Sequence, residues 1–113
     1  MVLYVMRWCI CPEKLDAYYE WGELSIERTL MVPGVIDVRN YQTELSSAEQ
    51  IIVTYEFTEL HVWARWYQHD EVQSVLHELR ALVTDYSAEI WNMAPNAVFS
   101  GSKEKICSND LIR

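Results

Sequence analysis

Apolar positions along the chain fall into blocks whose spacing changes from strand-like to helical and back. The run Val2-Leu3-Tyr4-Val5-Met6, continuing to Ile10, is apolar at successive positions and rich in Val, Ile, Tyr and Trp. Such a run predicts a strand buried on both faces. Pro12 lacks the N–H that the first helical turn does not use, and Glu13 suits the positive end of a helix dipole. Leu15, Tyr18, Tyr19, Gly22, Ile26 and Leu30 then recur at helical spacing, and Pro33-Gly34 ends the helix near Met31. Residues 35–44 and 50–57 read as two strands joined by a polar hairpin loop at 45–49. Thr58 caps the next helix, with Leu60, Trp63, Ala64 and Tyr67 on one face. The segment Asp70-Glu71-Val72-Gln73 forms a capping box, so the helix breaks at Gln68-His69 and restarts with a stripe of Val72, Val75, Leu76, Leu79, Leu82 and Val83. Asp85-Tyr86-Ser87 reads as a turn, and 88–93 as a fourth strand ended by Pro95.

This order predicts an α+β fold of the ferredoxin-like βαββαβ type, a four-stranded antiparallel sheet with helices on one face. The domain is expected to span residues 1–95, with 96–113 as a C-terminal tail. In the first strand Tyr4, Met6 and Trp8 share one side, while Leu3, Val5 and Arg7 share the other. The Leu3, Val5 and Arg7 side is assigned to the helix-facing core. Both sides are largely apolar, and packing of two sheets face to face in a homodimer is the simplest cover.

With 113 residues, half of them hydrophobic, the chain can build one core. A net charge of −8 without a basic stripe argues against a nucleic-acid partner and against anionic membrane surfaces. The N-terminal apolar run is too short to cross a bilayer and has no basic flank or cleavage site. Cys9, Cys11 and Cys107 are an odd, sparse set, so a cytoplasmic protein with free thiols is expected.

Four features together carry a family resemblance. A helix runs into Val32-Pro33-Gly34-Val35 and a strand, and Tyr55-Glu56-Phe57-Thr58 passes from strand to helix. Trp63-Ala64-Arg65-Trp66 and His69-Asp70-Glu71-Val72 precede a Leu-rich helix, and Ala88-Glu89-Ile90-Trp91 closes the sheet. Over residues 2–93 the chain resembles the antibiotic-biosynthesis-monooxygenase-like group of the dimeric α+β barrel superfamily. The superfamily includes cofactor-free monooxygenases, haem-degrading enzymes, isomerases and members without assigned activity. The resemblance implies a pocket between sheet and helices, lined by a helix-two Trp, and Trp66 occupies that place. The haem-degrading branch pairs this Trp with a strand-one Asn and a downstream His. Here Arg7 stands in place of the Asn and His77 lies one residue out of register, so no haem, other cofactor or metal is expected.

His61, His69 and His77 are eight apart, a poor spacing for a metal on one helix face. His77 should face solvent. His61 at its helix edge and His69 before a cap can each serve as a general base, against a plain surface reading. Cys9 and Cys11 read as small buried hydrophobes. Arg7 interrupts an apolar strand, where a guanidinium needs a partner. One reading is an ion pair with Glu56, Glu89 or Asp37, and the other is a pocket cation holding a ligand anion. Tyr55, Trp66 and Trp91 would line a site for a flat aromatic or anionic ligand, although core packing accounts for them equally well. The resulting expectation is a small-molecule-binding dimeric barrel, in the enzymatic reading a cofactor-independent monooxygenase of aromatic or polyketide-like substrates. Arg7, His61 and His69 would carry the chemistry, and Arg7, Tyr55, Trp66 and Trp91 would bind the substrate. The alternative is a non-catalytic ligand-binding or protein-interaction module.

Overall fold

The computed structural model describes residues 1–43 and 50–92; the expected hairpin loop at 45–49 and the tail at 96–113 lie outside them. The elements are β1 (Val2–Ile10), a 3₁₀ turn at Pro12–Lys14, α1 (Leu15–Leu30), β2 (Asp37–Gln42), β3 (Ile51–Phe57), α2 (Leu60–Tyr67), α3 (Asp70–Arg80) and β4 (Val83–Asn92). The sheet order is β2-β3-β1-β4, with every neighbouring pair antiparallel. This is the ferredoxin-like arrangement, its second helix broken in two. Among the described residues no helix is long and apolar enough to cross a membrane.

The helix boundaries follow from local chemistry. Gly34 takes φ +128°, and a Cβ there would lie 3.1 Å from Val62 Cγ1, so the α1-to-β2 connection needs glycine for conformation and for space. Glu59, with no side-chain bond, takes the N-cap of α2 in place of Thr58. The N-cap of α3 is His69 and not Asp70: its Nδ1 accepts the Glu71 N–H at 3.2 Å. Asp70 and Glu71 instead lie in the first turn, where their charge favours the dipole.

The register fixes which face of the sheet meets the helices. Tyr4 pairs with Tyr55, Met6 with Val53 and Trp8 with Ile51 across β1 and β3. All six are buried in the core that includes Trp66, Val72, Leu76 and Leu79 of α2 and α3. The side with Leu3, Val5 and Arg7 is therefore the open face, paired with Glu56, Thr54 and Ile52, which reverses the assignment made from the sequence. The reversal has a physical reason. Both sides of β1 are apolar, so its own pattern does not set the phase. The strict alternation of burial along β3 does.

The expected turn at Asp85-Tyr86-Ser87 is instead part of β4. Arg7 pairs with Ser87 and Cys9 with Thr84, leaving one extra residue on β4, and Asp85 has φ +55°. This is a β-bulge, and Asp is among the residues that tolerate the left-handed region.

The stripe read along α1 is also displaced. Leu15, Tyr19 and Leu30 are exposed, whereas Tyr18, Ser25 and Thr29 are buried. Small and hydroxyl-bearing residues thus face the sheet, while Leu15, Leu24 and Leu30 face outward.

Candidate functional site

A cleft of about 450 Å³ lies between α1, α3 and the helix-facing side of the sheet. Met6, Trp8, Val53 and Tyr55 contribute from the strands, and Tyr18, Ser25, Ile26 and Thr29 from α1. Val75, Leu76 and Leu79 contribute from α3 and Trp66 from α2, while Tyr19, Glu23, Asn40, Tyr41 and Gln42 are its exposed members. A Cβ built on Gly22, which also lines the cleft, would meet nothing within 4 Å. The lining is mainly apolar and aromatic with a few placed polar groups, the usual make-up of a small-molecule site. Glu23 is its one charged member among the described residues.

Thr29 organises one part of the cleft. Its hydroxyl donates to the Ile26 carbonyl at 2.7 Å and lies 2.9 Å from the Tyr55 hydroxyl. Because Thr29 has one proton and gives it to Ile26, Tyr55 is the donor in the second bond. The Trp66 indole N–H donates to the Thr29 backbone carbonyl at 3.0 Å. Trp66 also packs against Tyr55 and Phe57, with ring centroids 4.9 and 5.0 Å away. Elsewhere in the cleft Trp8 Nε1 donates to the Tyr18 hydroxyl at 3.1 Å. Burial pushes the Tyr18 and Tyr55 hydroxyls above the ordinary tyrosine range, so both remain protonated near neutrality.

An ion-paired brace holds α1 to α3 behind the cleft. Arg28 contacts Glu71 at 2.5 Å and Glu78 at 2.7 Å, and Trp21 Nε1 donates to Glu78 at 2.8 Å. Trp21 itself lines the cleft. The Arg28 guanidinium holds the Glu78 carboxyl below the usual carboxylate range.

The residues expected from the sequence divide between the two sheet faces. Tyr55 and Trp66 line the cleft together. Arg7 and Trp91 do not join them. They line a separate depression of about 450 Å³ on the open face, with Leu3, Val5, Ile52 and Thr54. There the Arg7 guanidinium lies 6.0 Å from the Trp91 ring centroid, and Trp91 is 46% exposed. A single site built from Arg7, Tyr55, Trp66 and Trp91 is therefore not formed, because the β1 and β4 phases put the first and last on the other side of the sheet. Among the described residues Arg7 makes no ion pair with Glu56, Glu89 or Asp37, and Asp37 pairs with Arg39 at 2.8 Å. Trp66, read as a cleft-edge residue from its offset on α2, is 1% exposed and sits in the core centre.

His61 and His69 are exposed and neither lines the cleft; His61 faces Glu59 at 3.7 Å and His69 caps α3. His77 is exposed, in line with its place opposite the α3 stripe. Cys9 and Cys11 are half-buried free thiols. Among the described residues no group of His, Cys, Asp and Glu could hold a metal ion.

Thr29 and Tyr18 escaped the sequence reading. A signal for them exists. Tyr18, Gly22, Ser25 and Thr29 recur at four-three-four spacing, a helical face of small and hydroxyl-bearing side chains. Such a face leaves space opposite a sheet rich in aromatics.

No protein-family model and no curated protein matches the sequence. Similarity to solved structures is extensive. A conserved protein from Methanosarcina mazei Go1 aligns at 22% identity over 80% of this chain and 89% of its own, with a TM-score of 0.67. SnoaB, a cofactor-independent oxygenase from Streptomyces nogalater, aligns at 13% identity over 80% of this chain and 90% of its own, with a TM-score of 0.66. A protein from Deinococcus radiodurans described as an antibiotic biosynthesis monooxygenase aligns at 16% identity over 96% of this chain and all of its own, with a TM-score of 0.67. At these identities the likeness is one of fold. The chain thus shares its ferredoxin-like α+β fold with solved proteins that include antibiotic biosynthesis monooxygenases.

Proposed function

We propose that this protein binds a flat, largely apolar aromatic molecule in the cleft between α1, α3 and the sheet, and oxidises it with molecular oxygen without a cofactor. The observation that carries the proposal is the cleft itself. It offers about 450 Å³ above the buried Tyr55 and Trp66 and beside Tyr19, Trp21 and Tyr41, aromatic side chains with free surface against which a ring system can pack. The oxygenase likeness of SnoaB supports the reaction class at the level of fold analogy.

Balance restricts which oxidation can run on oxygen alone. Inserting one oxygen atom into an aromatic C–H leaves a second atom that needs two external electrons. Conversion of a ring methylene to a carbonyl needs none: R₂CH₂ + O₂ gives R₂C=O + H₂O, both C–H bonds supplying the electrons and the protons of the water. The substrate class is therefore a polycyclic ketone or phenol with an activated methylene, as in aromatic polyketides. The side chains would contribute binding, orientation and exclusion of water. Arg7, on the open face, has no part in holding the substrate anion. The exposed His61 and His69 can take up the released proton only through solvent.

A second copy covering the open face through Leu3, Ile52 and Trp91 completes the proposed protein. A specific observation favours a second reading, a ligand carrier without turnover. Among the described residues the cleft is lined by no histidine and no cation, and its one carboxylate, Glu23, is exposed.

Anthrone, a three-ring ketone with one activated methylene, separates the two readings. In air the protein should convert it to anthraquinone with one O₂ consumed, above the buffer rate. Gly22→Leu, which fills open space in the cleft, should abolish the excess. Binding without oxygen uptake would leave the carrier. Turnover unaffected by Gly22→Leu would show that the cleft is not the site.

A further inference from the structure

The hydrogen-bond donors around the cleft can be followed proton by proton. Among the described residues, six of its buried lining side chains carry an N–H or O–H. The Ser25 hydroxyl donates to the Gly22 carbonyl at 2.8 Å, and Thr29 donates to the Ile26 carbonyl. Tyr55 donates to Thr29, and Trp66 donates to the Thr29 carbonyl. Trp8 donates to the Tyr18 hydroxyl, which is thereby an acceptor. Only the Tyr18 proton has no acceptor among these bonds. Tyr18 is 7% exposed and lines the cleft beside Trp8. A buried donor without an acceptor is costly, and an O–H that already accepts a hydrogen bond is polarised into a better donor.

We infer that the Tyr18 hydroxyl recognises an oxygen acceptor on the cleft's ligand, a carbonyl or phenol oxygen on the rim of an aromatic ring system. The inference rests on the cleft being the ligand site, and it deepens that proposal by naming the polar handle the ligand must carry. Tyr18 here replaces the pocket cation that Arg7 does not supply. A neutral donor selects ketones and phenols over carboxylates, because one hydrogen bond does not offset the burial of a full charge. The Trp8 indole, behind Tyr18, is a positioning group.

The experiment uses 2-naphthol and naphthalene, two probes that share a ring system and differ in one oxygen, with affinities read by calorimetry on the full chain. The wild type should prefer 2-naphthol. Tyr18→Phe should lower the 2-naphthol affinity about threefold to tenfold and leave naphthalene unchanged, the loss expected for one neutral hydrogen bond. Should that variant not fold, Trp8→Phe/Tyr18→Phe removes both partners, strands no buried N–H, and should show the same loss of preference. Binding of both probes with the preference intact in whichever variant folds overturns the donor role and leaves the cleft standing. Failure of both probes to bind the wild type, or binding unchanged by Gly22→Leu, overturns the cleft as ligand site and Tyr18 with it.

Discussion

Thr29→Val removes one hydroxyl and keeps the shape of the side chain. Thr29 is 2% exposed and Tyr55 3%, so water cannot replace the acceptor that Tyr55 loses. A buried hydroxyl left without its partner costs about 1–3 kcal/mol. In a Tyr55→Phe background no hydroxyl is stranded, and the same Thr29→Val change should cost less than about 1 kcal/mol. The difference is a coupling energy of about 1–2 kcal/mol, measurable by urea denaturation of the four proteins in a double-mutant cycle. A small domain shifts by about 4–8 °C in Tm for each kcal/mol, so thermal melts should rank the variants identically. Trp66 supplies an internal control. Its indole donates to the backbone carbonyl of Thr29, which valine retains, so its environment should not change. Equal costs of Thr29→Val in both backgrounds would refute the bond's contribution and the proton assignment built on it.

Two further outcomes follow from other parts of the molecule. Glu78 has its pKa lowered chiefly by its hydrogen bond from Arg28, so it contributes stability that is present above the ordinary value of 4.5 and is lost as pH falls through the lower folded value. Glu78→Gln should flatten the acid limb of a stability-against-pH curve, and an unchanged limb would remove the brace from the account. Light scattering at micromolar concentration should give about twice 13.3 kDa if the open face is covered by a second copy, and Arg7→Glu on that face should weaken the assembly; a wild-type monomer would sink the dimer proposal while leaving the cleft intact.

The fold was largely legible in the sequence, because element type depends on local pattern. The break at Gln68-His69, the stop at Pro33-Gly34 and the α3 stripe as far as Leu79 were visible in residue spacing, whereas Leu82, read with that stripe, follows the helix and Val83 opens β4. The sheet's phase was not, since β1 is apolar at both parities and only its pairing with β3 distinguishes them. That one ambiguity decided the site: it put Arg7 with Trp66 when the sheet separates them. Trp66 was misread for a related reason. Along α2 the fully buried residue is Trp66, while Leu60 of the stripe read from the spacing is exposed, so over two turns the 100° arithmetic chose the wrong centre. The face that carries Thr29 is visible in the spacing of Tyr18, Gly22, Ser25 and Thr29, but its bonding is not, because its partners lie in β3 and α2, distant in sequence and joined only by folding.

The bulge at Asp85 has a consequence for how the two sheet faces can vary. Side chains on a strand swap faces with every residue inserted or removed, so a strand facing a binding cleft on one side and a second surface on the other is normally locked in a single frame. The extra residue in β4 acts as a frameshift confined to one point. Val83 and Tyr86, at opposite parity, both pack against the helices, while Glu89 and Trp91 beyond it pair with Val5 and Leu3 on the open face. Deletion of Asp85 would restore one frame without moving a side chain across the sheet: Val83 and Tyr86 would stand two residues apart, both still toward the helices, with Glu89 and Trp91 still on the open face. Loss of Asp85 is thus the one change of length this strand can absorb, and deletion of a residue elsewhere in β4, which swaps faces beyond it, should be far less permissible.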